Sequence, residues 1–207
     1  MRPDLWLAFV AATMVIGFVP GPGVAAIVGY AIGSGRRTAF ASVAGLASGN
    51  FVAAVASLIG VGALLAASAL AFGIVKWAGA GYLIGVGLLT IWKARGAGPL
   101  TVAATPAVAP RTAFLANIAI GAFHPKTILF LAAFAPQFMD PTRAYAPQAA
   151  ILAATFCLTL AATDFLYAWL ASGTRSLFAS PKALRWSQRA GGGALIFAGL
   201  AAASIRR

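Results

Sequence analysis

Long apolar runs without a charged residue are the feature that most constrains this sequence. No residue from Leu5 to Gly35, and none from Thr38 to Val75, carries a charge. A helix needs about 20 apolar residues to cross roughly 30 Å of hydrocarbon, so runs of this length are typical of membrane spans. Hydrophobic residues make up 61% of the 207 residues and charged residues only 9%. The sequence therefore predicts an all-α, polytopic protein of the lipid bilayer and excludes a disordered chain.

Six transmembrane helices follow from these runs. The second run is too long for one crossing and is predicted to turn near Ser68. The predicted helices cover residues 5–34, 38–65, 70–92, 111–138, 146–171 and 187–205. The charge-free part of the sixth is only 16 residues long, so five spans with a half-inserted tail is the alternative. Glycines at four-residue spacing predict close helix packing; the pairs are Gly29 and Gly33, Gly45 and Gly49, and Gly81 and Gly85.

A segment rich in glycine, alanine and proline divides the chain into two halves of one membrane domain. This connector covers residues 96–110, contains three prolines and has no charge. It separates a first three-helix half, residues 1–95, from a second, residues 111–207. Because three helices per half is an odd number, the two halves would be inserted in opposite senses. The sequence thus predicts two inverted three-helix repeats.

The strong basic excess is read as a signal of membrane orientation. The chain has 15 basic and 3 acidic residues, and the basic ones lie between the apolar runs rather than in one patch. This distribution favours a role in topology over nucleic-acid binding. Nine basic residues fall after the first, third and fifth predicted helices and four on the other side. The positive-inside rule therefore predicts that the first group is cytoplasmic and that both termini are outside.

Two predicted helices are interrupted at their proline motifs. The first contains Pro20–Gly23 and the fourth contains His124–Lys126, so each half begins with a broken helix. Proline removes a backbone donor and disfavours helical geometry in the residue before it. Broken helices in matching positions of two halves are a sequence signal for a transporter site near the middle of the bilayer. The alternative is a pair of kinks that only shape packing.

Each restarting half-helix would expose free main-chain amides and a positive dipole end, which suit a carboxylate. Lys126 and Asp164 are the ionisable residues deepest in the predicted spans, and each costs about 2.5–3.5 kcal/mol at a helix centre on insertion scales. The simplest arrangement is an ion pair between them, which could also be purely structural. Asn50 and His124 could either bind substrate or tie helices together. The candidate substrate-binding residues are Pro20, Gly21, Pro22, Gly23, Asn50, His124, Pro125, Lys126 and Asp164.

Other classes of function find little support in the sequence. There is no P-loop, which argues against ATP-driven pumping. One cysteine (Cys157) and one histidine cannot make a standard zinc site, and no cofactor or metal is expected. A membrane-embedded enzyme that uses His124 and Asp164 is an alternative, but no nucleophile motif accompanies them. The chain is therefore interpreted as a transporter rather than an enzyme.

Several short motifs, in this order and spacing, resemble the lysine exporter (LysE/RhtB) family of bacterial amino-acid efflux proteins. They are Pro20–Gly23, Gly35–Arg37, Gly45 with Gly49–Asn50, Gly79–Leu83 with Gly85, His124–Lys126, Phe130 and Pro136–Phe138. The match covers most of residues 5–140, and the last third is similar mainly in length and hydropathy. His124 stands where the family usually has asparagine, and Asn50 where relatives frequently have an acid.

The resemblance implies secondary export of an amino acid or similar small solute by antiport, with protons as the expected coupling ion, across the bacterial inner (plasma) membrane. The missing acid at Asn50 disfavours a cationic substrate, so a neutral amino acid is the favoured guess. Rocking of one three-helix half against the other would switch access. An exporter or channel for another small solute, such as a metal ion or a dipeptide, is the alternative, and a homo-oligomer is left open.

Overall fold

The computed structural model describes residues 1–95, 107–140, 142–173 and 181–204, and within these ranges it is helical without strands. The helices are α1 (Pro3–Gly17), α2 (Pro22–Gly33), α3 (Arg36–Ala67), α4 (Ala69–Lys93), α5 (Pro110–Ala122), α6 (Pro125–Phe134), α7 (Tyr145–Gly173) and α8 (Pro181–Ser204). A 3₁₀ turn, Ala135–Phe138, continues α6. Residues 96–106 of the predicted connector and residue 205 of the predicted sixth helix lie outside the described ranges.

Both predicted breaks are present. The first predicted span is two helices, α1 and α2, which meet at an angle of 55°. The fourth is divided at His124, which lies between the end of α5 and the start of α6. Pro22 and Pro125 occupy the first positions of α2 and α6, where a missing N–H costs no helical hydrogen bond. The proline motifs therefore end one helix and begin the next.

Within the described residues, fewer helices can cross a membrane than the six that the sequence predicts. Four helical stretches can cross a membrane by length and composition, or five if α1 and α2 together make one span. The four are Arg36–Ala67, Gly73–Lys93, Pro110–Phe138, which combines α5, α6 and the 3₁₀ turn, and Tyr145–Gly173. The sixth predicted span is not among them. Its helix, α8, begins at Pro181 rather than at residue 187, and its sequence includes Lys182, Arg185 and Arg189. This count agrees with the five-span alternative, and the inverted six-helix repeat stays a prediction.

Two apolar clusters form the interior. The larger is centred on Phe130, whose ring centroid lies 6.3 Å from that of Phe9, 5.9 Å from that of Phe156 and 4.9 Å from that of Phe134. It joins α1, α6 and α7 with α3, α4 and α8. The smaller cluster joins α2, α3 and α7 and includes Leu46. The candidate site lies between the two clusters, because residues of both form its wall.

The closest helix contact is the α3–α5 seam, which consists of Gly45, Gly49 and Gly121. A Cβ atom on Gly49 would lie 2.7 Å from the main-chain nitrogen of Ala122, and one on Gly121 would lie 2.7 Å from the carbonyl oxygen of Leu46. The two backbones therefore touch, which confirms the close packing predicted for Gly45 and Gly49. Small residues permit such approach where lipid gives helices no hydrophobic drive to associate.

The same prediction is wrong for Gly81 and Gly85. Neither has a neighbouring heavy atom within 4 Å of its Cβ direction among the described residues. On α4 the close approach occurs instead at Gly87, where a Cβ would lie 2.6 Å from the carbonyl oxygen of Gly192 on α8. Four-residue spacing therefore identifies a smooth helix face without showing whether another helix covers it.

Two hydrogen bonds join α1 to α7, one near each end of α1. The indole nitrogen of Trp6 donates to the hydroxyl of Thr155 at 3.0 Å. The hydroxyl of Tyr167 donates to the carbonyl oxygen of Phe18, at the break after α1, at 2.9 Å. These bonds fix α7 beside the whole length of α1, and so fix the position of the broken end.

Side chains also organise the loops at the two ends of the helices. At one end, the Ser34 hydroxyl accepts a hydrogen bond from the main-chain nitrogen of Val108 at 3.1 Å. The turn after α2 and the segment before α5 therefore lie on the same side of the protein. Gly35 makes this turn with a φ of +86°, a conformation that favours glycine.

At the other end, the buried side chain of Gln148 holds the loop before α7. Its Oε1 accepts from the main-chain nitrogen of Asp140 at 2.7 Å, and its Nε2 donates to the carbonyl oxygens of Asp140 at 3.0 Å and Ala144 at 3.1 Å. In the same loop, hydrogen bonds from Thr142 hold the pKa of the Asp140 carboxyl below its usual range. The loop is therefore closed by its own side chains.

Candidate substrate-binding site

The two helix breaks meet in the interior of the protein. A Cβ atom on Gly21, at the first break, would lie 3.5 Å from Cε1 of His124 and 3.9 Å from Nζ of Lys126, at the second. Between them is a cavity of about 30 Å³, which is room for about two water molecules. Six of the nine predicted substrate-binding residues line it: Gly21, Gly23, Asn50, His124, Lys126 and Asp164.

The other three predicted residues shape the site without lining it. Pro20, Pro22 and Pro125 are not among the residues that line the cavity, and Pro22 and Pro125 are exposed. Their effect is on the backbone, since they end the preceding helices and set the starts of α2 and α6. The three prolines therefore shape the backbone around the cavity, and substrate binding by them stays a prediction.

Two helix N-termini reach the cavity with free main-chain donors. Neither α2 nor α6 has a side-chain cap, and the residues at their N-cap positions are Gly21 and His124. The first amides of a helix have no partner within the helix, so those of Gly23 and Thr127 are available where these residues line the cavity. Each helix start also carries a partial positive charge. Together they are suited to an anionic group.

The ammonium group of Lys126 does not make the ion pair predicted from the sequence. In the part of the chain that the structure describes, the only salt bridges are at the two surface sites of Asp4 and Asp140, and none joins Lys126 to Asp164. Nζ of Lys126 lies instead 3.4 Å from the carbonyl oxygen of Ile16 and 3.5 Å from that of Val19. These carbonyls are at the C-terminal end of α1, where the helix dipole favours a cation.

Asp164 lies on α7 with its side chain in the same cavity. The residue is only 4% exposed, and no described residue donates a hydrogen bond to its carboxylate. Its electrostatic partner is Lys126, which attracts it from a distance too long for an ion pair. A buried carboxylate is costly in a membrane unless a partner balances it. Asp164 is therefore the group in this site that most requires a cation or a proton.

Asn50 is buried at 3% exposure and bonds across the site to α6. Its Oδ1 accepts a hydrogen bond from the Thr127 hydroxyl at 3.3 Å. Thr127 is not among the residues predicted from the sequence, although its position directly after Lys126 in the restarted helix is a signal that points to it. Through this bond α3 holds the start of α6 at the cavity.

The ring of His124 is partly buried against Gly21, and it makes no hydrogen bond to a described residue. It forms part of the wall where the two breaks meet. Apolar residues supply much of the remaining wall, namely Ile16, Val19, Val24, Leu46 and Leu160. Among the described residues there is no group of three or more histidine, cysteine, aspartate or glutamate side chains that could hold a metal ion.

These features define a class: a helical membrane protein that builds a small charged cavity at two broken helices, as secondary transporters do. The sequence model of the LysE type translocator family matches residues 14–205. The chain belongs to that family. Because this is a family of transporters, the alternative of an enzyme that uses His124 and Asp164 is wrong.

The curated relatives extend over most or all of the chain. A homoserine/homoserine lactone efflux protein of Salmonella typhimurium is 34% identical over 100% of this chain and 99% of its own length. An uncharacterized membrane protein of Vibrio cholerae is 36% identical over 87% of both chains. A leucine efflux protein of Salmonella typhimurium is 28% identical over 79% of this chain and 75% of its own length. No solved structure matches the chain significantly.

Proposed function

We propose that this protein exports an amino acid, or a similar small zwitterionic solute, across the bacterial inner membrane in exchange for protons. The relatives named as efflux proteins for homoserine, its lactone and leucine support the direction of transport and the substrate class. The observation that carries the proposal is that one cavity is lined by charges of both signs. Asp164 supplies a buried carboxylate, while Lys126 and two uncapped helix starts supply positive charge.

This distribution of charge suits a zwitterion. The substrate carboxylate binds at the starts of α2 and α6, where the amides of Gly23 and Thr127 are free to donate. The substrate ammonium group binds at Asp164. The substrate side chain then faces the apolar wall around Leu46 and Leu160, which favours a neutral amino acid over a charged one.

Asp164 also supports the coupling to protons. Its carboxylate accepts no hydrogen bond from the described residues, so either a proton or the substrate ammonium group can balance it. The two exclude one another at the same oxygen atoms. A proton that binds from the outside therefore promotes release of the substrate there, and loss of that proton to the cytoplasm restores the site for the next substrate.

The cavity is small in this conformation. Its volume of about 30 Å³ is several times too small for an amino acid. A transporter in this conformation must move its helices apart before substrate can enter, as alternating access requires. The small volume thus supports a carrier rather than a channel that is permanently open.

Counterflow in liposomes tests the proposal. Vesicles that contain the purified protein and unlabelled homoserine or leucine should accumulate the labelled amino acid without altering it chemically. Asp164→Asn keeps the shape of the side chain and removes its charge. A hydrogen bond to a charged group contributes about 1.5–3 kcal/mol, so binding of substrate should weaken about tenfold or more.

Gly21→Ala provides a second test with a matched control. The added methyl group would enter the cavity at ordinary contact distance, 3.5 Å from Cε1 of His124, so the fold should survive while the site is obstructed. Gly85→Ala adds the same group on α4, where no described atom lies within 4 Å, and should transport normally. If Asp164→Asn and Gly21→Ala both transport like Gly85→Ala, this cavity is not the substrate site. If the unmodified protein exchanges neither amino acid, an exporter or channel for another small solute takes its place.

A further inference from the structure

The position of the Lys126 ammonium group suggests a second binding element in the same site. The side chain begins on α6 and reaches to the end of α1, where it meets the carbonyl subsite, defined here as the main-chain carbonyl oxygens of Ile16 and Val19. The Ile16 carbonyl already accepts a hydrogen bond from the main-chain nitrogen of Val19 at 3.1 Å. The ammonium group therefore sits at the negative end of a helix dipole without displacing the helix's own bonds.

The contacts that hold this ammonium group are long. Its nitrogen is 3.4 Å and 3.5 Å from the two oxygens, whereas ordinary N–H···O hydrogen bonds measure about 2.7–3.2 Å. Lys126 is thus attracted by charge and by the dipole, with little contribution from short directional bonds. A cation that approached the carbonyl oxygens more closely would replace these long contacts with better ones, and the main cost of displacing Lys126 is that its charge then needs a new partner.

The carboxylate of Asp164 lies in the same cavity and is not paired with Lys126. The residues of the carbonyl subsite and Asp164 therefore line one cavity, and Lys126 contacts the carbonyl oxygens but not the carboxylate. A second ammonium group in a cavity of about 30 Å³ would be repelled by the first. One of the two must leave when the other binds.

We propose that Lys126 is a tethered occupant of the substrate's ammonium subsite, which consists of the Ile16 and Val19 carbonyls and Asp164. This inference rests on the proposed function and assigns new roles to Lys126 and to the end of α1. When substrate arrives, its ammonium group displaces that of Lys126. The released Lys126 remains next to the start of α6 and pairs with the substrate carboxylate. Only a ligand with both an ammonium group and a carboxylate can fill the ammonium subsite and also pair with the released Lys126. This requirement gives selectivity for a zwitterion over a simple amine.

The test uses amino acids and their decarboxylated analogues as probes of purified protein. The pairs are homoserine with 3-aminopropan-1-ol and leucine with 3-methylbutan-1-amine, and calorimetry gives the dissociation constants. The unmodified protein should bind an amino acid and should bind its amine analogue weakly, because the amine cannot compensate the displaced Lys126. In Lys126→Met the subsite is free, so we expect the amine to bind at least tenfold more tightly than to the unmodified protein.

A chemical restoration of the charge supplies the matched control. Lys126→Cys in a Cys157→Ala background is modified either with 2-aminoethyl methanethiosulfonate, which restores a tethered ammonium group, or with methyl methanethiosulfonate, which does not. The amine should bind to the neutral adduct and lose its affinity in the cationic one. This comparison also remains informative if Lys126→Met does not fold.

The outcomes separate the two proposals. Amine affinity that is unchanged or weaker in folded Lys126→Met, and equal in the two adducts, overturns the tethered-occupant proposal even if amino acids bind. Amines that bind only when the tethered charge is absent support it. If they do so while no amino acid binds to the unmodified protein, the ammonium subsite stands and the proposed amino-acid substrate is wrong.

Discussion

Gly49→Ala tests whether the α3–α5 seam determines the stability of this protein. The new Cβ would lie 2.7 Å from the main-chain nitrogen of Ala122 and 2.9 Å from Cα of Gly121, and closer still to the carbonyl oxygen of Ile118. Optimal contacts need about 3.5 Å, so the helices must separate by at least roughly 0.8 Å. A gap of that size forfeits a quarter to a half of each dispersion contact along the seam. Such overpacking costs about 1–3 kcal/mol in the free energy of unfolding.

Gly60→Ala is the matched control for this measurement. Gly60 is on the same helix but has no described atom within 4 Å of its Cβ direction. Alanine there should be neutral or should stabilise the helix by up to about 1 kcal/mol. The difference between the two variants in unfolding free energy, measured in mixed micelles, isolates the cost of overpacking. Equal stability would refute the close contact of α3 with α5.

Two further predictions concern the loops. With Cys157 replaced by alanine, Ala109→Cys, in the exposed segment before α5, should be protected from a membrane-impermeant thiol reagent in intact cells and Ala144→Cys, in the exposed loop before α7, should react; the reverse labelling would overturn the predicted orientation. Gln148→Leu should lower the free energy of unfolding by about 1–3 kcal/mol, because it leaves the main-chain N–H and C=O of Asp140 without their partner. Circular dichroism during thermal unfolding measures this, and an unchanged midpoint would show that the loop does not depend on Gln148.

The breaks and most of the site residues could be predicted because proline acts locally. Pro22 and Pro125 lack an N–H wherever they occur, so the positions of two helix starts follow from the sequence. A polar side chain within an apolar span is costly unless it has a polar partner or lines a polar cavity, so such residues are expected to lie at the site. Asn50 and Asp164 were identified in this way, and the structure brings both to the cavity.

The partners of those groups could not be predicted, because they depend on how helices cross. The sequence shows that Lys126 is placed among apolar residues, but not that the carbonyl oxygens of Ile16 and Val19 are closer to it than Asp164 is. Main-chain acceptors have no distinctive residue type, so no pattern marks them. The prediction of close packing at Gly81 and Gly85 is wrong for a similar reason. Their spacing is that of a contact face, but no described helix covers them.

The bonds between α1 and α7 bear on how such a protein could move. Trp6 of α1 is held by Thr155 of α7, and Phe18 directly after α1 is held by Tyr167 of α7. In the α3–α5 seam Gly49 lies against the backbone of α5. Each of these pairs takes one helix from before the connector and one from after it. A rocking motion of the two sequence halves would have to break the α1–α7 hydrogen bonds and separate the α3–α5 seam in every transport cycle. We therefore expect the moving units to be pairs formed across the halves, with α1 moving together with α7 and α3 together with α5.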